Sequence, residues 1–226
     1  MIIGIEMVFD AFKDGIDAVL HPDKVARESK TVGEALLWYY KFSVIPLVLL
    51  LIVALGAGFA LNSVALRLGL TSGLLGGSLL AVAVAAVLVY VWGLLPLGLL
   101  IYAVVLDWVG NALKTFKNNY SDTLVAVIYG TFAPLSVLWL SVLPVIGGLI
   151  QLVALIWSLY VVVVILANKN KSTRVEALVT VVAGGILTWI IVAILAQFVL
   201  TGIFGLTLGP LVGAGATLAR FGSGAP

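Results

Sequence analysis

Residues 74–107 read LLGGSLLAVAVAAVLVYVWGLLPLGLLIYAVVLD, an apolar run in which the only charged residue is the last one, Asp107. At the ~1.5 Å rise per residue of an α-helix, about 33 residues would extend near 50 Å, whereas the hydrocarbon core of a bilayer is ~30 Å thick. The run is therefore either one long, tilted helix kinked at Pro96 or two short spans that turn at Gly93–Pro96. This choice decides how often the chain crosses the membrane.

The composition places the chain in a bilayer. Of the 226 residues, 63% are hydrophobic and only 10% are charged, whereas soluble domains are typically about half apolar and a quarter charged. A spanning helix needs roughly 20 mostly apolar residues. If the long run counts once, the candidate spans are Ser43–Val64, Leu74–Asp107, Asp122–Val142, the run that follows Pro144 and ends near Ala167, and Val175–Thr201.

The twelve basic residues separate the two topologies, because cytoplasmic loops are enriched in Lys and Arg. With five spans, ten basic residues share the side of the N-terminus and two, Arg67 and Arg220, lie on the other; with six spans, each side has six. We therefore predict an all-α, polytopic bundle of five transmembrane helices. The second helix is long and Pro-kinked, the N-terminus is cytoplasmic and the C-terminus is outside.

Three regions are predicted along the chain. Residues 1–42 form amphipathic helices at the cytoplasmic side, residues 43–201 form the transmembrane domain, and residues 202–226 form a Gly-rich, non-cytoplasmic tail. Pro22 is expected to end the first helix. A second amphipathic stretch, from Lys24 to Tyr40, is expected to lead into the first span.

The first helix has an apolar and an acidic face. Helical spacing puts these apolar residues on one side: Ile5, Phe9, Phe12, Ile16 and Val19. The opposite side is acidic, whereas surface helices that bind anionic lipids usually have a basic polar face. We therefore expect this helix to pack on the cytoplasmic end of the bundle or on a protein partner.

The composition also excludes several kinds of site. The absence of cysteine excludes disulfides, thiolate metal sites and cysteine nucleophiles, and a single histidine, His21, excludes a multi-histidine zinc site. A net charge of +2 is too small and dispersed for a nucleic-acid interface. The spans contain no constellation of catalytic groups, so we expect neither enzymatic activity nor a cofactor.

Two polar sets remain as candidate sites. The first is a run at helical spacing on the first helix, Asp10, Asp14, Asp17 and His21. These residues share one face and could bind a partner or a divalent cation, although a solvated acidic face is the simpler interpretation.

The second set surrounds Asp107 at the predicted cytoplasmic end of the long run. Lys41, Lys114 and Arg174 emerge on the same side in the five-span topology. We expect Asp107 to pair with one of them, and the alternative is an entry site for protons or cations.

Local signals mark the last three spans. Pro134 is expected to kink the third span, and Pro144 with Gly147 predicts a very short outer turn before the fourth. Thr173 and Glu176 match a capping box at the start of the fifth.

The order of several motifs resembles the Yip-type membrane domain, named from Ypt/Rab-interacting proteins. The motifs are Leu20-His21-Pro22-Asp23-Lys24, Tyr129 with Pro134, Pro144 with Gly147, Trp157, and Ser172-Thr173 with Ala177. The resemblance covers about Phe9 to Thr201. It implies five spans with a cytoplasmic N-terminus and, in eukaryotic relatives, interaction with prenylated Rab GTPases in vesicle traffic.

These observations favour a non-enzymatic scaffold or adaptor linked to membrane trafficking or organisation. Its expected contacts are membrane lipids, a protein at the cytoplasmic face and a second copy of the chain, with no nucleic acid, in the plasma membrane of a prokaryote. The alternative is a small transporter, channel or lipid-moving protein. A polar cavity between spans two, three and five would favour transport, and a dry bundle would favour the scaffold.

Overall fold

A computed structural model describes residues 2–67, 76–117, 119–195 and 197, and this part of the chain is all-helical. The helices are α1 Ile2–Leu20, α2 Pro22–Val25, α3 Val32–Arg67, α4 Gly76–Val89, α5 Leu95–Ala112, α6 Tyr120–Ser136, α7 Pro144–Asn170 and α8 Arg174–Leu195. A π-helical turn, Tyr90–Leu94, joins α4 to α5, and a 3-10 helix, Leu138–Val142, follows α6. Residues through Gly184 form one compact unit, and a second begins at Gly185. The predicted tail, residues 202–226, lies outside the described residues.

Among the described residues, four helical segments are long and apolar enough to cross a membrane: Val32–Ala60, Val84–Ala112, Val145–Asn170 and Arg174–Leu195. The chain is therefore a multi-pass membrane protein. The predicted third span corresponds to α6, which has 17 residues and is followed by the 3-10 helix.

The long apolar run is helical without interruption from Gly76 to Ala112, so the chain does not turn back at Gly93–Pro96. Pro96 has no N–H to donate to the carbonyl four residues earlier, at Trp92. The hydroxyl of Tyr40 donates to the Trp92 carbonyl at 3.3 Å, and the hydroxyl of Tyr39 donates to the Val91 carbonyl at 2.6 Å. Helix α3 thus supplies hydrogen bonds at the carbonyls where Pro96 disturbs the helix.

Helix α6 lies at the centre of the compact unit, where it packs on α3, α5 and α7. Its residues from Thr123 to Gly130 are all buried. At Gly130 an added Cβ would lie 2.3 Å from the Val162 side chain, so the close approach of α6 to α7 requires glycine there. At Gly147 an added Cβ would lie 2.1 Å from the Leu140 carbonyl oxygen, so the predicted short turn is confirmed and also requires glycine.

The helix boundaries near the N-terminus partly follow the prediction. Helix α1 ends at Leu20, before Pro22, as expected. The stretch from Lys24 to Tyr40 is not one helix, because α2 ends at Val25 and α3 begins at Val32.

A capping box restarts the helix at α3. The Glu34 carboxylate accepts from the Thr31 N–H at 2.8 Å, and the Thr31 hydroxyl accepts from the Glu34 N–H at 3.3 Å. The Thr-x-x-Glu pattern was available in the sequence. The equivalent box predicted at Thr173 and Glu176 is confirmed, with distances of 2.8 and 3.2 Å.

The tyrosine hydroxyls provide a matched test of this packing. Replacing Tyr39 with Phe leaves the buried Val91 carbonyl without that donor, which we expect to lower the free energy of unfolding by about 1–3 kcal/mol. Tyr40→Phe at the exposed neighbouring position should cost less than about 1 kcal/mol. Unfolding of the detergent-solubilised protein measures both, and equal losses would contradict this role for Tyr39.

Candidate functional site at the N-terminal helices

Helix α1 crosses the bundle instead of running along it. Val8 lines a groove with Tyr40 and Trp92, the ring of Phe12 lies 5.1 Å from that of Phe132, and Trp157 Nε1 donates to the Val19 carbonyl at 3.0 Å. Phe132 also packs on Phe42 of α3, at 5.2 Å between centroids. Gly130, half a turn before Phe132, packs beside Ser158 of α7. The contacts of α1 therefore reach α3, α6 and α7 at about one level of these helices.

The buried side of α1 consists mainly of small residues. Ala11, Gly15 and Ala18 are buried, and an added Cβ at Gly15 would lie only 2.1 Å from the ring of Phe132. The predicted apolar face is thus divided. Phe12 and Val19 pack on the core, whereas Ile5, Phe9 and Ile16 remain 55%, 55% and 43% exposed.

The surface that receives α1 is a cluster of four aromatic side chains, Trp38, Phe42, Tyr129 and Phe132. Trp38 lies 4.2 Å from Tyr129 and 4.5 Å from Phe42 between ring centroids. Tyr129 and Pro134 form one of the motifs that carry the Yip-type resemblance, in the predicted third span. Tyr129 serves as part of this cluster, and the Pro134 carbonyl accepts from Gln151 Nε2 of α7 at 3.3 Å.

Lys30 links the connection between α2 and α3 to this aromatic cluster. Its Nζ donates to the Tyr129 hydroxyl and lies 3.2 Å from a Glu28 carboxylate oxygen and 4.9 Å from the centroid of the Tyr129 ring. Burial by itself would lower the pKa of Lys30, but the hydrogen bond to Tyr129 and the Glu28 carboxylate hold that pKa above its ordinary value. The sequence indicated no role for Lys30 beyond its place among the twelve basic residues.

The α2 segment is fixed to the end of α7 by polar contacts. Lys169 Nζ lies 2.6 Å from Asp122 Oδ1 and donates to the Glu28 carbonyl, also at 2.6 Å. The Lys169 side chain is only 5% exposed, so this ion pair is largely shielded from water. One residue earlier, Asn168 Nδ2 donates to Asp23 Oδ1 at 2.7 Å. In the sequence, Lys169 is only one of the ten basic residues predicted on the side of the N-terminus.

The predicted pairing of Asp107 with a basic residue is not what the structure shows. Asp107 accepts hydrogen bonds from Asn111 Nδ2 at 3.2 Å and from Thr123 Oγ1 at 3.4 Å. Asn111 lies one helical turn further along α5, and the short connection to α6 brings Thr123 alongside. Asn111 and Thr123 therefore provide the hydrogen bonds to the Asp107 carboxylate that the sequence analysis expected from a basic residue.

The three basic residues of that set have other surroundings. Lys41 Nζ lies 3.8 Å from Met7 Sδ, and an Arg174 guanidinium nitrogen lies 4.0 Å from Asp23 Oδ1. Lys114 is exposed in the turn after α5, at a φ of 57°.

The acidic face of α1 is divided between two sets of contacts. Asp10 and Asp14 line a groove of about 430 Å³ between α1 and the start of α3. Asp17 instead pairs with Lys24 of α2 at 2.5 Å, and this hydrogen bond holds the pKa of Asp17 below its ordinary value. His21 is exposed between α1 and α2. No three His, Asp or Glu side chains in the described part of the chain are grouped so that they could hold a metal ion.

No protein-family model matches the chain, and neither a curated protein nor a solved structure shows significant similarity to it. The Yip-type resemblance therefore stays a prediction based on the motifs. In the structure Pro22 opens α2 and Pro144 opens α7, while Trp157 holds the end of α1.

Two glycines of α1 test how it is docked. Gly15→Ala places a methyl group against the Phe132 ring, and overpacking of this kind typically costs about 1–3 kcal/mol. An added Cβ at Gly4 would have no atom within 4 Å. Gly4→Ala is therefore the matched control, because it gains the same helix propensity of about 1 kcal/mol without the clash. We expect trypsin to cleave faster after Lys24 and Arg27 in Gly15→Ala than in Gly4→Ala. Equal cleavage rates would contradict the close contact.

Proposed function

We propose that this multi-pass protein is a non-enzymatic scaffold or adaptor that binds a protein partner through α1. The observation that carries the proposal is the docked, acidic helix: Glu6, Asp10 and Asp14 are exposed, while the opposite side of α1 is held against Phe132. An ordered array of like charges favours a partner with a basic surface, because electrostatic complementarity selects partners and speeds encounter.

The surroundings of α1 support a position at the membrane surface. Ile5, Phe9 and Ile16 form an exposed apolar stripe beside the acidic face. Tyr40, Trp92 and Trp157 are partly exposed at the level where α1 crosses the bundle, and amphipathic aromatics are enriched at membrane–water interfaces. In this placement the stripe contacts lipid, the acidic face contacts water, and packing on the bundle holds the helix in place.

The surroundings of α7 change at the same level. Its large apolar side chains between Val145 and Tyr160 are mostly exposed, whereas all residues from Val161 to Ala167 are buried. This change supports a boundary between lipid contact and protein contact close to where Trp157 meets α1.

The buried polar groups favour a scaffold over a transporter. Ser43 donates to the Tyr40 carbonyl at 3.0 Å and accepts from Trp92 Nε1 at 3.1 Å, and the Thr180 and Thr115 hydroxyl oxygens lie 2.8 Å apart. The cavity between α3 and α4 is lined by apolar side chains. Polar groups that hydrogen-bond helix to helix serve as structural contacts, whereas an ion pathway needs ionisable groups that face water.

We place five crossings in the membrane, namely α3, the α4–α5 run, α6 with the 3-10 helix, α7 and α8. Helix α6 is about 25 Å long at ~1.5 Å per residue, and the 3-10 helix adds about 10 Å at ~2.0 Å per residue. With α1 at the membrane surface, only the part from Phe132 to Val142, about 18 Å, lies on the membrane side of α1. This crossing therefore requires a locally thinned bilayer. The partition of basic residues, ten against two, supports a cytoplasmic N-terminus and an outside C-terminus.

A binding experiment tests the adaptor role. The triple variant Glu6→Gln/Asp10→Asn/Asp14→Asn removes the exposed carboxylates and leaves the Asp17–Lys24 pair in place. In mild detergent we expect the triple variant to capture at least about tenfold less of the partner protein than the wild-type protein does. High salt should reduce capture by the wild-type protein similarly. Lys13→Gln on the same helix is the control. Unchanged capture by the triple variant would contradict a partner bound by the acidic face.

A further inference from the structure

The groove between α1 and α3 contains charges of both signs. Asp10, Asp14 and Glu34 line it together with Lys30 and Lys41. Among the described residues, Asp10, Asp14 and Lys41 form no ion pair with any other side chain. Trp38 also lines this groove, and its buried Nε1 has no hydrogen-bond partner in the described part of the chain.

This charged groove continues into apolar hollows. Lys41 also lines a second groove, of about 370 Å³, with Val8, Tyr40, Val44 and Trp92. Val44 and Trp92 in turn line the cavity of about 190 Å³ between α3 and α4. The shared residues place the three hollows side by side along α3, and we call this series a track, which is charged at one end and apolar at the other.

The length of the track matches one leaflet of a bilayer. Lys41, Val44, Val48 and Leu51 follow helical spacing on one face of α3, and Ala54 continues this face inside the apolar cavity. From Lys41 to Ala54 the helix rises about 20 Å. Half of the hydrocarbon core is about 15 Å thick, so the track extends from the headgroup region through the acyl region of one leaflet.

We propose that this track binds one phospholipid with a zwitterionic, primary-amine headgroup such as phosphoethanolamine. Lys41 and Lys30 attract the phosphate, Asp10 and Asp14 accept hydrogen bonds from the ammonium group, and an acyl chain lies between α3 and α4. The choice of a zwitterionic headgroup follows from charge, and the choice of a primary amine follows from its N–H groups, which a quaternary ammonium lacks and from which the carboxylates of Asp10 and Asp14 can accept hydrogen bonds. An anionic headgroup without an amine would face the two unpaired carboxylates, whereas a zwitterion places opposite charge against both ends of the groove.

Lipid carried through purification tests this inference. The protein is reconstituted in nanodiscs that contain equal amounts of phosphatidylethanolamine and phosphatidylglycerol, extracted in mild detergent, and analysed by mass spectrometry. The wild-type protein is expected to retain about one phosphatidylethanolamine per chain, enriched over phosphatidylglycerol. Soluble phosphoethanolamine in excess distinguishes the sources, because a free headgroup lacks the acyl chain and should not displace the lipid.

Variants at the two ends of the track locate the site. Lys41→Gln removes the cation at the phosphate, and Ala54→Phe fills the apolar cavity. Each should lower the retained lipid by about fivefold or more, since a charge-assisted hydrogen bond or a filled cavity typically changes affinity by that order. Asp10→Asn/Asp14→Asn should abolish the preference over phosphatidylglycerol. The matched controls are Lys13→Gln on α1 and Ala60→Phe, an exposed position on α3.

Wild-type lipid equal to the bulk mixture would overturn the proposal, as would displacement by free phosphoethanolamine. Retention by both Lys41→Gln and Ala54→Phe at the level of their controls would also overturn it. The two substitutions lie at opposite ends of the track. If one variant fails to fold, the other still tests the proposal. Neither changes the carboxylates of α1, so the outcome is separate from that of the partner-binding experiment.

Discussion

The approach of Gly15 to the ring of Phe132 fixes α1 across the bundle, and the other features of the N-terminal surface depend on this contact. With a hydrogen atom at that position, the helix backbone can approach a ring that is itself held by Trp38 and Phe42. The rotation of α1 about its own axis, set by the contact with Phe132, determines which of its side chains are buried. It leaves one stripe of apolar residues and one row of carboxylates exposed, and it places Asp10 and Asp14 opposite Lys41. The proposed lipid-facing stripe, partner-binding face and headgroup groove all depend on this one orientation.

Features that depend on neighbouring residues could be predicted from the sequence. Pro22 ends α1, Thr173 and Glu176 cap α8, and Gly147 follows Pro144 in the hairpin, because each acts on backbone groups within one helical turn. The uninterrupted helix from Gly76 to Ala112 agrees with the charge partition that favoured one span in this run. A capping hydrogen bond and the steric effect of proline involve only residues within one helical turn, so these features can be read from the local sequence.

Features that depend on tertiary contacts could not be predicted. Periodicity identified the apolar face of α1. Because lipid and the protein interior are both apolar, hydropathy does not show which residues of that face contact lipid and which contact the core. For the same reason, nothing local showed that Lys169 would be buried beside Asp122. The hydroxyls of Tyr39 and Tyr40 meet carbonyls about 50 positions away. Asp107 was assigned a cationic partner, whereas the helix geometry brings Asn111 and Thr123 to it.

The central claim is that α1 lies in the membrane surface with one stripe in lipid and one face in water. Because the chain contains no cysteine, single cysteines can be placed along residues 5–20, spin-labelled and examined in proteoliposomes for collisions with oxygen and with a water-soluble nickel complex. The account predicts a helical alternation, with oxygen favoured at Ile5, Phe9 and Ile16 and nickel favoured at Glu6 and Lys13. High nickel accessibility at all five positions would place the stripe in water and contradict the account.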